Sequence, residues 1–391
     1  MASLPWSTQL TKNLAERKEA GRYRQQRTRL GAQGVEVVID GKKRLSFCSN
    51  DYLGLANHPD LKKAFIDAVE QEGVGAGAAH LLTGHSRYHQ QLEEQLADFM
   101  GTQRALLFSS GYQANMGIID GLMVRGDAII QDKLNHASLL DGARLSDADL
   151  LRYPHVDMSR LHNRLHNAAT ADHKLIVTDG VFSMDGDIAP LAEIMAQAKQ
   201  HRAAVLLDDA HGLGVLGKKG RGCVEHHAIN QHEMPMVMGT FGKAFGTAGA
   251  FVAADEEVIE TLIQQARTYV YTTAQPAAIA AATLASLKLV QDESWRREKL
   301  QALIAHFRAG AKALGLNLMD SLTAIQPILI GDDNLAISIG KKLEEKDILV
   351  GVIRPPTVPK GSARLRITLS ADHTEQQLTQ LLDALEFAYA H

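Results

Sequence analysis

Short apolar runs set the rhythm of the middle of the chain. Residues 104–108, 127–130, 149–153, 174–178, 203–208, 236–240 and 249–254 each read as a buried-type strand, and helical patterns lie between most of them. That alternation predicts an α/β fold: a mostly parallel seven-stranded sheet covered by helices, with ligands at the carboxyl ends of its strands. Upstream, residues 35–39 and 45–47 alternate on either side of Asp40-Gly41, a hairpin signal. A helix is expected with Pro59 in its first turn. Another carries the inner stripe Tyr88, Leu92, Leu96 and Phe99 and stops at Gly101.

Near residue 285 the character changes. Residues 293–314 form a long amphipathic helix pattern, followed by short signals at 324–330, 335–346 and 348–353. Residues 364–369 alternate as a half-buried strand does, which predicts an open antiparallel sheet. A capping-box pattern from Thr374 to Gln377 opens a closing helix with Leu378, Leu381, Leu382 and Leu385 on one face. The expected division is an N-terminal helix and hairpin (1–50), a large domain (51–285) and a small α+β domain (286–391).

Composition narrows the class without naming it. The 391 residues are 45% hydrophobic and 22% charged, ordinary values for a globular chain of two or three domains. A net charge of −4 gives no reason to expect nucleic acid or an anionic membrane as partner. Two cysteines, Cys48 and Cys223, support neither a disulfide framework nor a cysteine-based zinc site. His162 and His166 stand at i, i+4 without the glutamate of a zinc-protease helix, and no metal is expected. No leader-like or membrane-length apolar segment occurs; residues 277–290 read as a core helix, and the expected location is the cytoplasm. The first 30 residues are basic and read as a helix with a solvated face; the alternative is that some of the arginines meet an anionic substrate.

The chemically suggestive residues all follow candidate strands. Gly239-Thr240-Phe241-Gly242-Lys243-Ala244-Phe245-Gly246 places a lone lysine in a turn of small and apolar residues. There its charged form is disfavoured and a neutral, nucleophilic amine results. Upstream, the strand 203–208 ends in Asp208-Asp209-Ala210-His211. A lysine amine for an aldehyde and a carboxylate for a pyridinium nitrogen are the two protein groups that pyridoxal phosphate requires. Ser109-Ser110-Gly111-Tyr112 opens a helix whose free N–H groups suit a phosphate. His136 in Asn135-His136-Ala137-Ser138 reads by itself as a structural histidine, whereas the polar groups of the run from Asp179 to Gly186 would face the same crevice. In the small domain, Arg354-Pro355-Pro356-Thr357-Val358-Pro359 stiffens the backbone around a guanidinium, an arrangement suited to a carboxylate. Gly212-Leu213-Gly214-Val215-Leu216-Gly217 has the form of a dinucleotide-binding loop, but Lys218-Lys219-Gly220-Arg221-Gly222 follows it in place of an apolar helix pattern.

Together these stretches, with Asn50-Asp51-Tyr52-Leu53-Gly54, resemble the α-oxoamine synthases, pyridoxal-phosphate enzymes of fold type I with the aminotransferase class I/II fold, over nearly the whole chain. The resemblance implies that Lys243 carries the cofactor and later moves the Cα proton, that Asp208 pairs with the ring nitrogen and His211 with the ring oxygen, and that His136 stacks on the ring. It implies phosphate contacts from Gly111, Tyr112 and Thr240 and support from Ser183. Arg354, helped by Asn50, would hold the amino-acid carboxylate, and Arg24 and Thr357 would lie near the acyl thioester. The arginine loop followed by Ala363-Arg364-Leu365-Arg366 is most like that of members joining L-alanine to a pimeloyl thioester, carried by coenzyme A or an acyl carrier protein, in biotin biosynthesis. A homodimer with a shared active site is implied. The alternatives are a sibling synthase acting on glycine or serine, a nicotinamide dehydrogenase and a non-catalytic partner subunit; the last would lack the lysine that stands at 243.

Overall fold

A computed structural model describes residues 4–230 and 233–390. In chain order the strands are β1 (Arg29–Leu30), β2 (Glu36–Ile39), β3 (Lys42–Phe47), β4 (Arg104–Phe108), β5 (Ala128–Asp132), β6 (Asp149–Tyr153), β7 (Lys174–Asp179), β8 (Ala204–Asp208), β9 (Met236–Thr240), β10 (Ala250–Ala254), β11 (Ile325–Gly331), β12 (Ile348–Ile353) and β13 (Ala363–Thr368). Strands β4 to β10 form a seven-stranded sheet in the order β4-β10-β9-β8-β7-β5-β6. The pairs β5/β6, β5/β7, β7/β8 and β8/β9 are parallel, and β10 runs antiparallel to β4 and β9.

These strands read as unbroken apolar runs because both faces of the sheet are covered. Along β8, Val205 and Leu207 enter one apolar cluster and Leu206 the other; along β7, Ile176 enters the first and Leu175 and Val177 the second. The alanine-rich run is a core helix, Ala277–Asp292. Among the described residues, no helix is long and apolar enough to cross a membrane.

The second sheet departs from expectation. Its order is β1-β2-β3-β12-β13-β11, so the N-terminal hairpin belongs to the sheet of the small domain and is not a separate segment 1–50. β3 runs parallel to β12, Leu45 opposite Ile348, so the small sheet is not wholly antiparallel. Asp40 and Gly41 both have left-handed φ, 51° and 79°, the pair a two-residue hairpin turn requires. β13 is buried at every position instead of half-buried, because β11 and β12 flank it and both its faces are covered. The first 30 residues are helical only over Ser7–Glu19 and continue as extended chain into β1. The Gly212 loop opens no helix: residues 209–220 are turns, closed by bonds such as Gly214 N–H to the Gly220 carbonyl at 2.8 Å. The four-residue helix Cys223–His226 follows, too short for the dinucleotide pattern, and the dehydrogenase reading fails there.

Candidate active site

Five parallel strands, β4, β5, β7, β8 and β9, present their carboxyl ends at one edge of the large sheet. A pocket of about 410 Å³ opens there, walled by Asn50, Gly111, Tyr112, His136, Ser183, Asp208, His211, Thr240 and Lys243. A wider groove of about 570 Å³ between the hairpin and the closing helix, lined by Arg44, Asp347 and Phe387 among others, contains none of these groups.

Lys243 follows β9 in a tight turn. Gly246 N–H donates to the Lys243 carbonyl at 2.9 Å and Thr247 N–H to that of Phe241 at 2.9 Å. Phe241, Ala244 and Phe245 are buried beneath the turn, so its apolar residues anchor it while the lysine reaches the pocket. Burial pushes the Lys243 amine down to about 8, against the opposing pull of Asp208 and Asp179.

Asp208 closes β8. Its Oδ1 accepts from Ala210 N–H at 3.0 Å and its Oδ2 from the Asn115 amide at 2.7 Å. His211, three residues on, shares a 2.6 Å hydrogen bond with the Tyr52 hydroxyl through Nδ1. Its pKa lies well below the usual histidine value, because the ring is buried and faces Lys243 and Arg366. His136 caps the helix Ala137–Leu145; its backbone N–H reaches the Asp179 carboxylate at 3.1 Å. Burial lowers the His136 pKa and raises that of Asp179 well above the carboxylate range, with Asp208 adding to the latter.

The helix Gly111–Leu122 points its N-terminus into the pocket. Gln113 N–H is tied to the Ser110 hydroxyl and Ala114 N–H to the Ser110 carbonyl, so the amides of Gly111 and Tyr112 precede them at the helix opening. A Cβ at Gly111 would lie 2.6 Å from Thr240 Cγ2, so only glycine leaves this cradle open. Thr240 Oγ1 is buried with no hydrogen-bond partner. An unsatisfied hydroxyl beside a helix N-terminus is what a phosphate oxygen completes. Phosphate cradle, depressed lysine and strand-end carboxylate together fit pyridoxal 5′-phosphate.

Arg366 was not singled out as a site residue by sequence. It is buried in β13, and its guanidinium donates to the Ser183 carbonyl at 2.6 Å and to Asn50 Oδ1 at 3.3 Å. Its charge bears on both Lys243 and His211. Its signals were the alternation of residues 364–369, whose meaning is lost in a strand buried on both faces, and its place in the Ala363-Arg364-Leu365-Arg366 run that carries part of the resemblance.

Three expected substrate residues do not reach the pocket. Arg354 donates to the Gly21 carbonyl and ties the N-terminal segment to the loop after β12. Arg24 and Thr357 are exposed. Away from the pocket, His80, His85 and His89 bring ring nitrogens within 4.8 Å of one another. His80 and His85 share a 2.9 Å bond through their Nδ1 atoms, and His89 Nδ1 caps its helix by accepting Ser86 N–H at 3.0 Å, while His89 Nε2 is buried without a hydrogen-bond partner.

Residues 42–385 match the aminotransferase class I and II family, and the chain belongs to it. It is 57% identical to 8-amino-7-oxononanoate synthase of Nitrosococcus oceani over 95% of this chain and 98% of that protein. Identity to 8-amino-7-oxononanoate synthase of Saccharophagus degradans is 56%, over 97% and 96%. A solved structure of SPT with a PLP internal aldimine superposes with a TM-score of 0.92 at 32% identity, covering 99% of each chain.

Proposed function

We propose that this chain joins L-alanine to a pimeloyl thioester with loss of CO2, giving 8-amino-7-oxononanoate and a free thiol, with pyridoxal 5′-phosphate as cofactor. The observation that carries this reading is the Lys243 amine, its pKa lowered to about 8 by burial, in one pocket with Asp208 and with the unsatisfied Thr240 hydroxyl beside a helix N-terminus. When bound, pyridoxal phosphate supplies an electron sink for the pair left at alanine Cα.

The chain's own residues do the rest. Gly111, Tyr112 and Thr240 hold the phosphate, and Ser183 supports the ring. Asp208 keeps the ring nitrogen protonated by ion pairing. His211, neutral through burial, bonds the ring oxygen; His136 covers the ring face. Lys243 would take the proton from alanine Cα at its neutral Nζ. The carbon–carbon bond then forms at the thioester carbonyl as the thiolate leaves, the alanine carboxylate departs as CO2, and the pair it leaves at Cα is protonated from Lys243 Nζ.

That carboxylate is held by Arg366 with Asn50, a pairing supported by the buried guanidinium already hydrogen-bonded to Asn50. Arg24, Arg354 and Thr357 are left for the acyl thioester, carried by coenzyme A or a carrier protein, and two copies of the chain share the active site. Turnover with alanine, glycine and serine against a panel of acyl thioesters tests the reading. Alanine with the pimeloyl thioester is expected to give the highest kcat/KM; a preference for serine or glycine sinks it.

A further inference from the structure

The helix that opens onto the phosphate cradle carries a second polar group one turn further in. Asn115 is buried, and its amide nitrogen donates twice: to Asp208 Oδ2 at 2.7 Å and to Ser138 Oγ at 2.9 Å. Ser138 Oγ lies in turn 2.7 Å from His136 Nδ1. We infer that Asn115 is a positioning residue that holds the Asp208 carboxylate and, through Ser138, fixes the proton of His136 on Nε2.

The direction of each bond follows from what its members can donate. A carboxylate only accepts, so the amide must turn its nitrogen to Asp208; the flipped amide would set oxygen against oxygen. Asn115 Oδ1 has no hydrogen-bond partner, so nothing on that side opposes this orientation. The second N–H occupies one lone pair of Ser138 Oγ, and since the Ser138 backbone N–H is directed at His136 Nδ1, that nitrogen is an acceptor and the Ser138 hydroxyl donates to it. Ser138 N–H points at the same nitrogen, at 3.3 Å. Two donors on Nδ1 require a lone pair there, and the ring, kept neutral by burial, carries its one proton on Nε2.

Two consequences follow for the reaction, and they rest on the function proposed above. One helix sets the separation between phosphate and ring-nitrogen partner, since Gly111 and Asn115 lie on successive turns of it. His136, protonated on Nε2 and engaged on Nδ1, is no base for the Cα proton, which leaves that step to Lys243.

The tautomer itself is measured without cofactor or substrate. In cofactor-free protein labelled with 15N-histidine, long-range proton–nitrogen correlation at pH 7.5 is expected to show His136 as the Nε2–H form; an Nδ1–H ring overturns the inference. Asn115→Leu keeps the branching of the side chain and removes both donors. It should let the Ser138 hydroxyl turn, populate the second tautomer and weaken pyridoxal phosphate binding by about 10- to 100-fold as Asp208 loses its support. Wild-type affinity, or an unaltered His136 spectrum, in that variant defeats the coupling. Should Asn115→Leu fail to fold, Ser138→Ala carries the test: loss of the hydroxyl donor should raise the His136 titration midpoint, and an unchanged midpoint overturns the relay. Failure of the wild type to condense alanine with a pimeloyl thioester would remove the proposed reaction and leave the tautomer result standing.

Discussion

At the scale of the residue, the lysine decides the chemistry and its surroundings decide the lysine. Burial lowers the Lys243 amine to about 8, so a usable fraction is neutral near physiological pH. Only the neutral amine attacks an aldehyde, and below that pKa its fraction falls about tenfold per pH unit. Recombination of cofactor-free protein with pyridoxal phosphate, followed by its visible absorption, should therefore accelerate with rising pH and level off above about 8. A rate flat between pH 6 and 8 contradicts the depressed amine. Lys243→Ala should lose turnover while retaining the wild-type melting transition, because Phe241, Ala244 and Phe245 anchor the turn without it. The two arginines separate just as cleanly. Arg366→Ala should weaken alanine binding by about 2–5 kcal/mol, the range for stripping a buried charged hydrogen bond of its partner. Arg354→Ala, tied to Gly21 outside the pocket, should leave alanine affinity near wild type and act on the acyl thioester instead. Titrating alanine into both variants tells which guanidinium holds the carboxylate.

The elements matter through the turns that end them. Gly246 closes the Lys243 turn at φ +67°, and a Cβ there would fall on the backbone of Leu55 and Ala56. Those two residues cannot retreat easily: Asp51 accepts the Leu55 N–H at 2.8 Å and the Ala56 N–H at 3.1 Å. Gly246→Ala should cost about 2–3 kcal/mol in chemical denaturation, from left-handed strain and backbone overlap together. Gly111→Ala acts differently. Its φ is not in the left-handed region, so stability should change little, while the methyl group closes on Thr240 and lowers cofactor affinity. Equilibrium titration with pyridoxal phosphate distinguishes the two glycines. The segment 181–188 is held from both sides: His155 bridges Asp132 at 3.1 Å and Asp187 at 2.9 Å, and Arg364 reaches Asp185 at 2.7 Å. Burial opposes the charge on His155, but the two carboxylates outweigh it and raise the pKa to about 10. The His155 ring is therefore charged at neutral pH.

For the whole molecule, the small domain is more than a cover. β13 brings Arg366 against Ser183 and Asn50, two residues of the pocket wall, so the second sheet braces the pocket from outside the large sheet. The chain also leaves apolar side chains in the open near that pocket. Phe65 and Ile66 line a second cavity of about 470 Å³ with Gly246, Thr247 and Ala248, directly behind the Lys243 turn. A second copy covering this face fits the proposed shared active site. Sedimentation equilibrium should give a dimer at micromolar concentration, and Ile66→Asp should weaken it and reduce activity together. A fully active monomer would remove the shared site.

Most of the scaffold was legible before any coordinates. The seven strands of the large sheet, the lysine turn and the Asp208–His211 pair depend on local patterns: apolar runs, helix openings and glycines near a reactive side chain. Local patterns carry no information on which distant segments become neighbours. The N-terminal hairpin joined the small sheet through β3 and β12, some 300 residues apart in sequence. Nothing local announced that Arg366 would reach Asn50 or that Asn115 would reach Asp208; both contacts exist only because β13 and β8 came alongside. Arg354 looked like a carboxylate anchor from its prolines alone, and no local pattern told that its guanidinium donates to the carbonyl of the distant Gly21. Sequence determined which side chains this protein has for the chemistry; only the packing of the two sheets decided which of them meet, because a buried charge is stabilised by partners supplied from elsewhere in the chain.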